Sequence, residues 1–335
     1  MGKKDTKISI LGDGGWGTTL ALLLSGKGFC PMLWGAFPDY VEEVRKKREN
    51  VKFLPGFKIP ESVALEADLG RAVRGAEWVV LAVPSQHMRA VLRRVGKSAL
   101  AGKNFISVAK GVETGTLHVM SAVVREELGA VPLGVLSGPT IAREVALEMP
   151  AAVSVASAHK TLRARAREIF ATPYFSLYES DDVLGVELGG ALKNVIAISA
   201  GIVEGLGFGS NTRAALFARG VAEMARLGKR MGAKRETFMG LSGLGDLATT
   251  CLSPLSRNRR LGEEIGKGRG LKDILKSSEM VVEGVDTSRS AVALARRHRV
   301  RMPITEAVHG ILFRGRDPRA AVDALMKREF HHELD

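Results

Sequence analysis

The sequence predicts an α/β protein, with a doubly wound parallel sheet in the first half of the chain and an all-helical second half. Three observations predict it. Short β-rich runs alternate with helix-length segments as far as residue 180. The first of these runs ends in a glycine-rich turn that opens a helix. Beyond residue 180 the strand pattern fades into long helical segments. A length of 335 residues suits two domains. The division falls at residues 1–182 and 183–330, with 331–335 as a tail.

Residues 7–12 (KISILG) form the first β-rich run, and 16–28 read as a helix closed by Gly26 and Gly28. Residues 32–35 (MLWG) are the next strand. Residues 78–84 (WVVLAVP) are apolar without a break, as expected of a strand buried on both faces. Residues 104–111, 133–139 and 151–157 repeat the pattern, and helical segments at 85–97, 116–128, 140–147 and 159–170 lie between.

Gly12, Gly14 and Gly17 spell G-x-G-x-x-G between the first strand and its helix. In that context the glycines permit a tight turn, approach of a pyrophosphate and close helix–strand packing, which is the dinucleotide-binding (Rossmann) arrangement. The free N–H groups of the helix then face the phosphates. The acid that usually meets the adenosine ribose belongs at the end of the second strand. Residues 34–39 (WGAFPD) place neither acid nor arginine there, which leaves NAD and NADP both open. Lys110 follows a strand, at the carboxyl edge of the sheet where ligands bind, unless it is a surface lysine. Gly138 and Thr140 stand at another such edge; turn geometry and a helix N-cap are their alternative roles.

Residues 181–207 form a long helical pattern with Asp181 or Asp182 near its start, apolar on most sides and therefore buried. Lys193 sits inside it, where an ammonium is costly unless it is paired or faces a cavity. Gly189, Gly190 and Ala197 share its face and leave room beside it. That pattern fits an active-site lysine with a lowered pKa, with a snorkelling lysine as the alternative. Asn194 adjoins it. Further helices are expected at 211–232, capped by Asn211 or Thr212 and stopped by Gly232, and at 280–298 and 305–313. Residues 240–260 (GLSGLGDLATTCLSPLSRNRR) read as a glycine-rich loop carrying one acid, several hydroxyls and an Arg-Asn pair.

Composition narrows the function. The net charge is +13, but the basic residues are spread along the chain and aromatics amount to only 5%, so a base-stacking nucleic-acid surface is not indicated. A basic surface also concentrates a phosphorylated substrate. No uninterrupted run of about 18 apolar residues suggests a membrane span, and no signal-peptide pattern follows the N-terminus. Two cysteines, Cys30 and Cys251, are read as free thiols of a reducing compartment. The seven histidines, with His331 and His332 in the tail, form no metal-spacing cluster, so no metal is expected.

The segments GDGGWGTTLA (12–21), VAKGVE (108–113), SGPTIAREV (137–145), GGALKNVIAISAGIVEGLGFGSNTRAAL (189–216) and GLSGLGDLATTCLSPLSRN (240–258) together resemble soluble, nicotinamide-dependent glycerol-3-phosphate dehydrogenases, the bacterial type above all. The resemblance runs from residue 7 to 328. It implies an N-terminal Rossmann domain and a helical domain like the C-terminal one of 6-phosphogluconate dehydrogenase. The activity implied is NAD(P)H-dependent, reversible reduction of dihydroxyacetone phosphate to sn-glycerol 3-phosphate for glycerophospholipid synthesis, in a cytoplasmic homodimer. By motif, Lys193 becomes the proton donor and acceptor, with Asp246 beside it. Lys110, Gly138, Thr140, Asn194, Asp246, Ser256, Arg257 and Asn258 become substrate contacts. Gly12, Gly14, Gly15, Trp16, Gly17, Lys110, Ala142, Arg257, Val281 and Glu283 become cofactor contacts. Arg257 offers a fork of donors to phosphate oxygens, and Asp246 can bond Lys193 or a substrate hydroxyl.

The chain departs from the family pattern twice. Gly15 replaces a small hydroxyl residue, and Ala36 and Phe37 stand where a basic residue is common, which argues against strong NADP preference and for a modest preference for NAD. Two other readings share parts of the pattern: a β-hydroxyacid dehydrogenase acting on a carboxylate, and a non-catalytic sensor of nicotinamide redox state. The Ser-Arg-Asn stretch argues against the first, and retention of Lys110, Lys193 and Arg257 together argues against the second.

Overall fold

In a computed structural model, residues 6–96, 99, 102–277 and 281–327 are described. The expected tail 331–335, with His331 and His332, lies outside them, as do Lys97 and Met280 at the ends of two expected helices. The chain forms two units. One gathers the chain up to Ala109 with Met120–Val183; the other gathers Lys110–Val119 with the chain from Leu184 onward.

The first unit is built on strands β1 (Ile8–Leu11), β2 (Met32–Trp34), β3 (Ala64–Glu66), β4 (Trp78–Leu81), β5 (Asn104–Ser107), β6 (Leu133–Ser137), β7 (Ala151–Ala156) and β8 (Phe175–Ser180). They form one sheet in the order β3-β2-β1-β4-β5-β6-β7-β8. Its helices are α1 (Gly15–Gly26), α2 (Pro38–Lys47), α3 (Leu69–Val73), α4 (Met88–Val95), α5 (Met120–Leu128), α6 (Ala142–Ala146) and α7 (Lys160–Phe170). The continuous apolar run of β4 is explained by its two faces. Trp78 and Val80 join a core with Leu20 and Leu24 of α1 and Ile169 and Phe170 of α7. Val79 and Leu81 join the opposite core with Val91 and Leu92 of α4 and Val123 and Val124 of α5. Each such side chain, once buried, contributes about 1.5–3 kcal/mol.

The sheet is not wholly parallel, as the sequence had suggested: β6 and β7 pair antiparallel, with Val135 opposite Ala156. The connection explains it. Helix α6 has 5 residues and rises only about 7.5 Å, too little to return the chain along a strand of about 16 Å. The edge strands β3 and β8 are absent from the sequence expectation. β3 has 3 residues and no buried one, so no pattern is legible. β8 alternates buried Phe175 and Leu177 with exposed residues, a signal that was present. Boundaries also move. The expected 116–128 helix begins at Met120, because Val112 and Val119 form an antiparallel bridge and Leu117 has a φ of 63°. The expected 104–111 strand ends at Ser107. Among the basic residues 45–48, Lys47 pairs with Glu43 on α2 at 2.7 Å, while Arg45 and Arg48 bond the carbonyls of Leu65 and Ile59.

The second unit contains α8 (Val183–Gly205), α9 (Ser210–Met231), α10 (Asp246–Leu252), α11 (Arg257–Gly266), α12 (Leu271–Lys276), α13 (Glu283–Arg297), α14 (Pro303–Arg314) and α15 (Pro318–Met326). Helix α8 is the one helix among the described residues long and apolar enough to cross a membrane, and its apolar stretch is buried inside the protein. It crosses α11 at backbone contact: a Cβ on Gly201 would lie 1.9 Å from the Arg259 carbonyl oxygen, and one on Gly262 would lie 2.0 Å from that of Ile198. Helix α9 starts one residue before the expected Asn211, with Gly209 as its N-cap, and stops at Gly232 in a left-handed conformation as expected.

The 240–260 stretch is helical rather than a flexible loop. A π-helical turn over Leu241–Gly245 runs into α10, and Ser256 caps α11 by accepting the Arg259 N–H. The glycines serve close packing: a Cβ on Gly243 would lie 2.2 Å from the Phe238 carbonyl oxygen.

Candidate active site

In the first unit the turn from β1 to α1 has the shape a dinucleotide phosphate needs. Gly12 has a φ of 122°, and a Cβ there would lie 2.7 Å from the Ala82 carbonyl. Its N–H donates to the Trp34 carbonyl at 2.9 Å, tying the turn to the end of β2. A Cβ on Gly17 would lie 1.9 Å from the Gly12 oxygen, so the helix can seat itself only on glycine. Above Gly14 no atom lies within 4 Å. The first backbone bond of the helix is Thr18 N–H to Gly14 O, so the preceding N–H groups stand outside the helical ladder. Open space, free donors and a positive dipole end fit a pyrophosphate.

One of the two departures from the family pattern, Gly15, has a steric reason here. A Cβ on Gly15 would lie 2.7 Å from the Phe53 carbonyl oxygen, which excludes a hydroxyl side chain. Trp16 packs its ring against Phe175, with centroids 6.2 Å apart. Ala142 begins α6, and its carbonyl shares the Thr19 hydroxyl with that of Gly15, at 3.1 and 2.8 Å. Thr19 therefore links Ala142 to the glycine turn, a role its sequence position does not advertise. At the strand end, Ala36 and Phe37 are exposed, and Asp39 lies in the first turn of α2. Gly138 has its Cα within close reach of Val153, since a Cβ there would lie 2.9 Å from the Val153 Cα. Thr140 is not the N-cap of α6; Ile141 is, and the Thr140 hydroxyl donates to the Gly138 carbonyl.

In the second unit Lys193, at the middle of α8, meets Lys110 across one carboxylate. Asp246 Oδ1 lies 2.9 Å from Lys193 Nζ, and Oδ2 lies 2.6 Å from Lys110 Nζ. All three are buried or nearly so, with side-chain exposures of 9% for Lys193, 15% for Lys110 and 2% for Asp246. Asp246 heads α10, and Thr250 follows one turn later. Lys193 Nζ donates to the Thr250 hydroxyl at 2.6 Å, and that hydroxyl donates to the Asp246 carbonyl at 2.6 Å. Thr250 is thus part of the site, and the four-residue spacing from Asp246 was the signal that pointed to it. The room that Gly189 leaves on α8 is filled by backbone, since a Cβ there would lie 2.6 Å from the Ser242 carbonyl oxygen.

The electrostatics follow from two ammonium groups sharing one carboxylate. Burial pushes the Asp246 carboxyl upward, but the charges and hydrogen bonds of Lys110 and Lys193 outweigh it and hold the group below its usual range. Burial, with help from the Lys193 charge, pushes Lys110 down to about 8 against the pull of Asp246. A lowered lysine pKa is therefore found at Lys110. Cys251 is buried and its thiol is pushed up to about 12, so it is inert, while Cys30 is exposed; both are free. No group of three metal-ligating side chains occurs among the described residues.

Two asparagines brace this centre. Asn258 Nδ2 donates to Asn194 Oδ1 at 2.8 Å, and Asn258 Oδ1 accepts the Gly284 N–H at 3.0 Å. Asn194 Nδ2 reaches the carbonyls of Lys110 and Gly190 only at 3.4 and 3.5 Å. The amide of Asn258 is therefore committed to joining α8, α11 and α13. Arg257, exposed at the start of α11, donates to the Val281 carbonyl at 2.6 Å, and Glu283 begins α13. Lys110, Lys193, Asn194, Asp246, Ser256, Arg257, Asn258, Val281 and Glu283 belong to this second unit; Gly12, Gly14, Gly15, Trp16, Gly17, Gly138, Thr140 and Ala142 belong to the first.

Comparison with known proteins gives the site its family. Residues 7–163 match the family described as NAD-dependent glycerol-3-phosphate dehydrogenase N-terminus, and residues 182–323 match the corresponding C-terminus. A glycerol-3-phosphate dehydrogenase [NAD(P)+] of Syntrophotalea carbinolica is 50% identical over 331 residues, covering 98% of this chain and 99% of its own. One of Citrifermentans bemidjiense is 49% identical over 334 residues, covering 98% of each chain. The crystal structure of glycerol-3-phosphate dehydrogenase from Coxiella burnetii superposes with a TM-score of 0.94 at 40% identity, covering 98% of this chain and 100% of that one. This chain belongs to the NAD-dependent glycerol-3-phosphate dehydrogenase family.

Proposed function

We propose that the protein reduces dihydroxyacetone phosphate to sn-glycerol 3-phosphate, reversibly, with NADH or NADPH, and so supplies the glycerol phosphate of phospholipid synthesis. The observation that carries this is the buried Lys193–Asp246–Lys110 centre with Thr250, on a chain whose two halves both match the family. A bound reduced nicotinamide supplies the hydride. The chain's own residues handle the rest. Lys193 Nζ gives its proton to the carbonyl oxygen as charge develops there, and takes it back in the reverse direction. Lys110 offers a second ammonium to the same developing charge. Asp246 keeps both lysines in place, one on each oxygen, and the Thr250 hydroxyl accepts a further hydrogen bond from Lys193.

Arg257 and the capped start of α11, with Ser256, are read as the phosphate contacts. Gly138, Thr140 and Asn194 are read as further substrate contacts, and Asn258 acts as their brace. Gly12, Gly14, Gly15, Trp16, Gly17 and Ala142 hold the dinucleotide, with Lys110, Arg257, Val281 and Glu283 as additional contacts. A homodimer in the cytoplasm accompanies this reading and rests on family membership. The same membership leaves a carboxylate-directed β-hydroxyacid dehydrogenase and a non-catalytic redox sensor without support. Purified protein, dihydroxyacetone phosphate and NADH, followed at the nicotinamide absorbance, decide the matter: oxidation of NADH is expected. Turnover with β-hydroxy acids and NAD, but not with the phosphate ester, would overturn the assignment.

A further inference from the structure

The strand end that should carry an acid for the adenosine ribose carries none in sequence, yet the fold brings one there from another segment. Asp13 stands in the glycine turn between Gly12 and Gly14. A Cβ on Gly35, the residue after β2, would lie 2.3 Å from Asp13 Oδ2 and 2.7 Å from Asp13 Cγ. The carboxylate therefore rests on the bare Cα of Gly35. The Gly12 N–H bond to the Trp34 carbonyl joins the two segments at that level. The Asp13 main chain is fixed as well: its carbonyl accepts from Asn50 Nδ2 at 2.7 Å and from the Thr18 hydroxyl at 3.3 Å. Asn50 is itself fully buried.

Two features mark this carboxylate as incompletely satisfied within the protein. Asp13 Oδ2 is buried and has no hydrogen-bond donor among the described residues, and native folds rarely leave such a group without a partner. Burial raises its pKa to about 6, with a backbone hydrogen bond pulling the other way, so at neutral pH it remains mostly an anion. Among the described residues no cation is paired with it: Ala36 and Phe37 follow Gly35, Arg45 of α2 bonds the Leu65 carbonyl and Lys47 pairs with Glu43.

We propose that Asp13 reads the adenosine ribose: its carboxylate accepts the 2′ and 3′ hydroxyls of an unphosphorylated ribose and repels a 2′-phosphate, so the chain binds NADH in preference to NADPH. This rests on the dinucleotide reading of the Gly12–Gly17 turn. Gly35 is the second half of the device, because any side chain there displaces the carboxylate.

The test is equilibrium binding of NADH and NADPH to the whole protein, by nicotinamide fluorescence, for wild type and Asp13→Asn. The wild type should favour NADH by about tenfold or more, as a charge-assisted bond implies. Asp13→Asn should bring the ratio close to one, mainly by weakening NADH. A variant that keeps the wild-type ratio within about twofold, or a wild type that favours NADPH, overturns the role of Asp13 while leaving the dinucleotide site standing. Failure of the wild type to bind either nucleotide overturns the site and the proposal together. Competition between ADP-ribose and 2′-phospho-ADP-ribose on the wild type asks the same question without a variant: the unphosphorylated compound should win, and parity would refute the proposal.

Discussion

In the proposed mechanism Lys193 and Lys110 each bring an ammonium to the substrate carbonyl, and each part can be measured. Lys193→Ala removes the proposed proton donor, and general acid–base help is worth about 10²- to 10⁴-fold. Turnover should fall by at least that range while NADH binding survives, because the dinucleotide turn lies in the other unit. A folded variant that keeps more than about a tenth of wild-type turnover would refute the role. Lys110 adds a pH dependence. Its ammonium is lost as pH rises through about 8, so the reduction rate at low substrate should decline above that pH. Asp246 raises the Lys110 pKa; in Asp246→Asn the decline should therefore begin at lower pH. A limb that stays in place would show that another group titrates. Lys193 and Asp246 were legible in sequence because each is an isolated charge in an apolar or glycine-rich setting. Their union with Lys110, 136 residues from Asp246 in sequence, was not, since only the fold brings them together.

At the level of elements, glycine was the residue most open to misreading. In 240–258 it suggested a flexible loop, and in α8 it suggested space for a ligand. In both places it admits a neighbouring backbone instead, and a sequence does not reveal which neighbour will arrive. Gly262→Ala tests this. The added Cβ would lie 2.0 Å from the Ile198 carbonyl oxygen, and overpacking costs about 1–3 kcal/mol or more. Thermal unfolding should shift down by several degrees; no shift would mean that the α8–α11 contact is looser than described. A second test concerns α14, whose first N–H groups, from Ile304 and Thr305, donate to the buried Glu223 carboxylate at 2.6 and 3.2 Å. Burial raises the Glu223 pKa from 4.5 to about 7, although these bonds pull it down. The folded state then holds this proton more tightly than the unfolded state. Its contribution is complete below pH 4.5 and is lost as pH rises to about 7. The amount is about 3 kcal/mol. Glu223→Gln should flatten the fall in melting temperature across that window, and an unchanged slope would assign the fall to other groups.

For the molecule as a whole, the alternation of strands and helices foretold the first unit because β4 is apolar on both faces, which only a covered sheet explains. It did not foretell the reversal at β7, which depends on how far a 5-residue helix carries the chain. The net charge of +13 is the remaining whole-molecule feature, and it bears on the substrate rather than the fold. Dihydroxyacetone phosphate is an anion, and a positive field draws it in from solution over a distance set by salt. That distance is about 30 Å at 0.01 M and about 8 Å at physiological ionic strength. The lysine centre is buried and is screened far less. With NADH saturating, raising sodium chloride across this range should therefore increase KM for dihydroxyacetone phosphate several-fold and leave kcat nearly constant. If KM were indifferent to salt, recognition would lie in the local contacts of Arg257 and the lysines alone. If kcat fell as steeply as KM rose, salt would be reaching the Lys193–Asp246–Lys110 centre itself, and its burial would be incomplete in the working enzyme.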